Sequence, residues 1–268
     1  MIGRLGLRVA VALVFLFMIA PILSVMVWSF SGGRLFVFPP SAWTLKWYGS
    51  IPPAFLAALK VSLLTAIGAT VVGVAVGVPA ALALVRGALP FSRALSAICL
   101  SPLMVPGLVI GVASFQFMNV IFDVFRLSLL ESVPGLILGH AAFTVPFVIR
   151  AVIAGQVQYD AAIEEAALSL GATPLRAFFT VTLPMLAPAV ASGAIFAFLM
   201  SFDDVPVALF VGGGSATTLP VLILNSVQFN FSPDILALCS IVAGAIVLLV
   251  ALCSRLFGLD KFTGPSHS

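Results

Sequence analysis

The sequence predicts an all-α, polytopic membrane protein with about six transmembrane helices, and three observations carry that prediction. Hydrophobic residues make up 62% of the chain and charged residues only 8%. The mean hydropathy is +1.26, and a soluble fold has nowhere to bury so much apolar surface. The apolar residues also fall in long runs, and a helix needs roughly 20 of them to cross a bilayer. At 268 residues the length allows one or two domains. We read residues 1–268 as a single transmembrane domain.

The first crossing is Val9–Phe30, preceded by Arg4 and Arg8 and carrying Pro21 as a tolerated kink. It is longer than the ~7–15-residue core of a cleaved signal peptide, so it reads as a retained helix. Residues 31–53 form a loop rich in Gly and Pro, whose Trp43, Trp47 and Tyr48 suit a membrane–water interface. The second crossing runs from Leu56 to Val85, with Lys60 placed to snorkel outward. Ala69, Gly73, Gly77 and Ala81 repeat every four residues within it. Such a small-residue stripe lets a second helix approach closely, and helix packing is favoured over a pore lining.

Arg86 and Arg93 bracket a turn with Gly87 and Pro90. The third crossing is expected from Leu95 to Met118 and the fourth from Val133 to Ile153, with Asp123, Arg126 and Glu131 between them. The fifth is expected from Leu186 to Phe210, interrupted by Asp203, Asp204 and Pro206. A Gly/Ser/Thr-rich loop follows at Gly212–Thr218. Leu219–Pro233 fits either a surface segment or a partly re-entrant one. The sixth crossing is Ile235–Phe257, and a polar tail, expected to be disordered, starts at Asp260.

Alternate loops place Arg4, Arg8, Arg86, Arg93, Arg150, Arg176, Arg255 and Lys261 on one side. Arg34, Lys46, Lys60 and Arg126 fall on the other. The side richer in Lys and Arg is cytoplasmic by the positive-inside rule, which puts both termini there. The net charge of +3 is too small to argue for a nucleic-acid partner. Cys99, Cys239 and Cys253 lie in apolar runs without metal-ligand spacing, so they read as small hydrophobes.

One polar island breaks this pattern, at residues 160–184. Asp160 can cap a helix by accepting bonds from its opening N–H groups. Ile163, Ala167 and Leu170 share one helical face. Glu164 and Glu165 sit early in the helix, where carboxylates complement its dipole. Gly171 can adopt the left-handed conformation that ends a helix. Thr173 and Pro174 read as a new cap and first-turn position, with Leu175, Phe178, Phe179 and Thr182 on the second face. Pro184 and Pro188 are expected to interrupt the helix that follows. Periodicity alone fits an amphipathic elbow resting on lipid headgroups.

The order of residues says more. Glu165-Ala166-Ala167, then Gly171 after a three-residue gap, then Val181 and Leu183-Pro184 after a nine-residue gap, resembles the cytoplasmic "EAA" loop of ATP-binding-cassette importer permeases. Val181 stands where that family usually has Ile. The resemblance implies that Glu164, Glu165, Ala166, Ala167, Gly171, Pro174, Leu183 and Pro184 couple the crossings to a separate ATPase. A second stretch, Ser201-Phe202-Asp203-Asp204-Val205, then Leu209-Phe210-Val211-Gly212 and Thr218-Leu219-Pro220-Val221, is similar to the second permease subunit of spermidine/putrescine-type importers. The two resemblances imply a type I importer permease of the bacterial inner membrane. They also imply its partners: a dimer of ATP-binding subunits, a second homologous permease, an external substrate-binding protein and membrane lipid.

Asp203 and Asp204 are the residues most in need of a reason. A charged side chain deep in a span costs at least about 2.5–3.5 kcal/mol, so it usually faces a cavity or a partner. An acidic residue along a passage suits a polycationic cargo, because it can replace lost hydration. Equally, Asp204 can cap a short helix starting near Pro206. Both readings stay open from sequence. His140 is expected to make a hydrogen bond within the bundle. No catalytic machinery, metal cluster or cofactor site is legible: Gly212-Gly213-Gly214-Ser215 lacks the lysine and spacing of a phosphate loop. The rival classes are an importer of opines, phosphonates or another small solute, and a gradient-driven carrier. The carrier would have no need of the 160–184 island.

Overall fold

A computed structural model describes residues 2–33, 39–40, 42–86, 91–156, 160–229 and 232–257. Arg34, Gly87, Pro90, the tail from Asp260 and His267 lie outside the described residues. Regular structure among the described residues is helical, with two isolated bridges, Ser31 to Trp43 and Gly213 to Ala216. Six helices are long and apolar enough to cross a membrane, as the hydropathy runs require.

Helix α1 (Ile2–Ser29) runs through Pro21. A short α2 (Lys46–Gly49) leads to α3 (Pro53–Val85), the longest helix. Then come α4 (Ser92–Leu100), α5 (Gly107–Phe125) and α6 (Val133–Gln156). The elbow contains α7 (Ala161–Ser169) and α8 (Pro174–Ala177), and α8 continues into α9 (Leu183–Phe202). Two shorter helices, α10 (Pro206–Val211) and α11 (Leu219–Phe229), precede α12 (Pro233–Phe257). Leu219–Phe229, within the segment that fits a surface or a partly re-entrant placement, is helical.

The chain forms two compact units, one of Met1–Phe55 with Ile223–Leu249, the other of Leu56–Leu222 with Val250–Ser268. In the first, Tyr48 Oη lies 2.7 Å from Ser29 Oγ and 2.9 Å from Ser240 Oγ. Trp47 Nε1 donates to the Ser31 carbonyl at 2.7 Å. Tyr48 thus ties the loop to α1 and α12, Trp47 ties it to itself at Ser31, and Trp43 stays exposed.

In the second unit the core forms where α3, α6 and α9 meet, around Val78, Ala81, Val148, Val152 and Leu186. The small-residue stripe of α3 faces α6. A Cβ on Gly77 would sit 2.9 Å from Val148 Cβ, and Ala69 and Ala81 have no exposed surface. On α9, a Cβ on Gly193 would lie 3.1 Å from Val148 Cα. Val148 is therefore held between two glycines, which is how three helices approach so closely. The stripe serves packing, as expected.

Two boundaries differ from expectation, both at prolines. The third crossing does not begin at Leu95. α4 ends at Leu100, a tight turn occupies Ser101–Met104, and the membrane-length helix is Gly107–Phe125. Val105 is extended (φ −82°, ψ 133°), because a residue preceding proline avoids the helical region. Conversely, Pro184 and Pro188 do not interrupt the elbow's second helix. The fifth span is continuous over Pro174–Phe202. Pro184 has no N–H to offer, and its ring would clash with the Thr180 carbonyl four residues back. A wide π turn at Phe178–Thr182 relieves both problems, with the Leu183 N–H donating five residues back to the Phe178 carbonyl. The fifth span also stops earlier than expected, at Phe202, so Val207–Phe210 belong to the separate α10. The fourth extends past Ile153 to Gln156.

Helix α10 sits in a notch made by missing side chains. A Cβ on Gly111 would meet the Pro206 carbonyl oxygen at 2.7 Å, and one on Gly139 would meet Val207 Cγ1 at 2.9 Å. The notch fixes the position of the break between α9 and α10, where both aspartates lie.

Candidate functional site

The elbow is built as its local sequence dictates. Asp160 Oδ1 accepts from the Ala162 N–H at 3.0 Å, and Thr173 Oγ1 accepts from the Arg176 N–H at 3.4 Å. Gly171 carries φ +90°. Around it the Gly171 N–H donates to the Leu168 carbonyl at 3.0 Å, and the Ala172 N–H to the Ala167 carbonyl at 3.1 Å. That bond pair is the glycine-closed helix end known as the Schellman motif.

The expected apolar faces are only partly uncovered: Ala167 and Phe178 are half-buried and Thr182 is buried, with Phe178 packed against the core. Ile163, Leu168, Leu175 and Phe179 are exposed, and Leu170 is 90% exposed. Glu165, Ala166, Gly171, Pro174 and Pro184 are also exposed, while Ala167 and Leu183 are half-buried. Of the two glutamates, Glu164 turns inward. Its Oε2 accepts from Arg86 Nη2 at 2.7 Å and from Thr182 Oγ1 at 2.8 Å. Arg86 closes α3, and Thr182 belongs to the π turn. One carboxylate therefore ties α7 to two membrane-length helices. A cavity of about 420 Å³ lies beside this junction, lined by Arg86, Gln156, Glu164 and Glu165 among others. Sequence reasoning placed Glu164 in the elbow but missed Arg86 and Thr182; no local signal pairs residues 78 positions apart.

The break after α9 separates the two aspartates. Asp204 Oδ2 accepts from the Val207 and Ala208 N–H groups at 2.9 and 3.0 Å, so it caps α10 as one of the two sequence readings had it. The same oxygen lies 3.6 Å from His140 Nε2. His140 has no exposed surface, and its Nδ1 is 2.7 Å from Ser201 Oγ. This is the hydrogen bond within the bundle expected of it. Asp203, by contrast, is exposed. Among the described residues no group of three or more His, Cys, Asp or Glu could hold a metal ion.

An all-helical multi-pass protein with an EAA-type elbow and a helix break carrying acidic groups is a transport permease in class. Residues 73–259 match the family described as binding-protein-dependent transport system inner membrane component, and the chain belongs to that family. It is 34% identical over 235 residues to the putrescine transport system permease protein PotI of Escherichia coli (strain K12), covering 87% of this chain and 83% of that one. It is 30% identical over 266 residues to the spermidine/putrescine transport system permease protein PotC of the same organism, covering 98% of each. Among solved structures, a chain of a bacterial ABC transporter that imports the acidic polysaccharide alginate aligns at a TM-score of 0.68 and 19% identity. That alignment covers 100% of this chain and 97% of the other, a likeness of fold.

Proposed function

We propose that this multi-pass inner-membrane permease carries small organic polycations of the putrescine and spermidine kind into a bacterial cell, with residues 1–268 acting as one permease domain. A homologous permease stands opposite it, two copies of an ATP-binding subunit dock below, and a binding protein delivers cargo outside. This chain hydrolyses nothing itself. The termini and the 160–184 elbow face the cytoplasm, in keeping with the basic residues Arg86, Arg93, Arg150, Arg176 and Arg255, all of them exposed.

The observation that carries this reading is the elbow: capped at Asp160 and Thr173, closed at Gly171, tied inward by Glu164 and apolar outward. A partly uncovered apolar face on a rigid, anchored pair of helices suits helix-in-groove docking by a soluble partner. When the ATP-binding dimer closes, the elbow moves with it, and Glu164 passes that motion to α3 through Arg86 and to α9 through Thr182. The passage then alternates between outward and inward access. The polyamine reading rests on PotI and PotC, supported by an open carboxylate at Asp203.

The test is reconstitution of this chain with its three kinds of partner in vesicles, measuring ATP-dependent uptake of labelled putrescine against competing spermidine, opines and phosphonates. Competition by spermidine alone supports the proposal. No ATP-dependent putrescine uptake, with an opine or a phosphonate carried instead, overturns the cargo, and uptake that persists without the ATPase overturns the transporter class.

A further inference from the structure

Adjacent aspartates in one break look equivalent, but their surroundings differ at every contact. One oxygen of Asp204, Oδ2, accepts from two N–H groups of α10 and lies 3.6 Å from His140 Nε2. His140 Nε2 is itself buried and has no hydrogen-bond partner. Its other nitrogen is held by Ser201, the penultimate residue of α9. Ser201 and Asp204 flank Phe202 and Asp203, so the imidazole reaches both sides of the break. A neutral ring with its proton on Nε2 donates toward Asp204 and accepts at Nδ1 from the Ser201 hydroxyl. At 3.6 Å the Nε2 and Oδ2 atoms lie just beyond hydrogen-bond distance. Asp203 takes no part in this network and is exposed.

We infer that His140 is a positioning residue that fastens Asp204 to the head of α10, leaving Asp203 as the acidic contact for the cationic cargo. The inference about cargo contact rests on the polyamine reading; the fastening does not. Without His140 a largely buried carboxylate loses a side-chain neighbour of donor character, and the break gains freedom to exchange which aspartate points outward.

The test uses the complete reconstituted importer with Cys99, Cys239 and Cys253 replaced by Ser. Asp203→Cys and Asp204→Cys are each treated with a cationic methanethiosulfonate, and modification rates are measured. Asp203→Cys should react at least about tenfold faster, as expected when one site must open locally before it reacts. Adding His140→Ala should shrink that ratio below about threefold, and His140→Gln, whose amide still donates, should restore most of it.

With both aspartates intact, His140→Ala should lower the maximal putrescine uptake rate while leaving the half-saturating concentration, set by the binding protein, unchanged. His140→Gln should recover the rate. Equal reactivity of the two cysteines with His140 present overturns the inference, as does an undiminished ratio in His140→Ala. If the labelling pattern holds but the parent complex moves no putrescine, the cargo reading fails and the fastening stands. If putrescine uptake is intact and the ratio ignores His140, the fastening fails and the cargo reading stands.

Discussion

Gly171 shows how much a single backbone angle can carry. Its φ of +90° is one that L side chains rarely adopt, yet a Cβ there would meet nothing within 4 Å. Gly171→Val therefore carries a backbone cost, of order 1–2 kcal/mol, without a steric one. We expect the variant to insert and fold, but with the α7–α8 angle altered and substrate-stimulated ATP hydrolysis lost in the purified complex. Unchanged stimulation would show that the elbow's angle does not matter. Arg86 gives a different kind of effect. It is 43% exposed in its side chain, so solvent screens its pair with Glu164 and the bridge contributes only about 0.2–1 kcal/mol to stability. Arg86→Gln should leave the melting temperature nearly unmoved. Uptake per ATP hydrolysed should nonetheless fall about threefold, a loss of ~0.6 kcal/mol in coupling. A normal ratio would remove Arg86 from the transmission route.

Helices in this chain pack through absent side chains. A Cβ at position 77 would press on Val148 Cβ, a branched and fully buried neighbour, whereas one at position 244 in α12 meets nothing within 4 Å. Gly77→Ala should cost about 1–3 kcal/mol as overpacking. Gly244→Ala should be neutral or gain up to about 0.5–1 kcal/mol from reduced backbone entropy. Thermal unfolding of the two variants in detergent compares them directly, and equal melting temperatures would refute the packing role of the stripe. The prolines show why element boundaries were harder to read than element existence. Pro21, Pro79, Pro146 and Pro188 all lie inside helices. Pro102 and Pro106 lie in the broken stretch between α4 and α5. The same residue ends one helix and not another according to whether the preceding turn can tighten or widen. That is decided by neighbours in space, which a linear pattern does not contain.

On the scale of the whole chain, hydrophobic length is a local property, and all six membrane-length helices were legible from it. So were the caps at Asp160 and Thr173 and the left-handed turn at Gly171, because each involves partners within a few residues. The junction of Arg86 with Glu164 and that of His140 with Asp204 were not, since both join residues dozens of positions apart. Orientation was legible only as a charge count and is open to direct measurement. In a cysteine-less background, Ser215→Cys should react with an impermeant thiol reagent on right-side-out vesicles. Ser169→Cys, on the exposed end of α7, should react only after permeabilisation. The opposite pattern would invert the protein in its membrane and remove the elbow from the compartment that holds ATP.

The π turn at Phe178–Thr182 has a further consequence, for counting rather than for contact. It takes up one residue more than an α-helical path would, so α8 and α9 are in phase only while the extra residue stays looped out. Pro184→Ala removes the reason for the loop. If the path then relaxes to a regular helix, everything upstream rotates by about 100° relative to α9, swinging Glu164 away from Arg86. Deleting Thr180 in that same variant would bring the two halves back into phase. Transport lost in the first variant and regained in the second would mean that the elbow is aimed by arithmetic: a chain one residue shorter, without its proline, would point the same way.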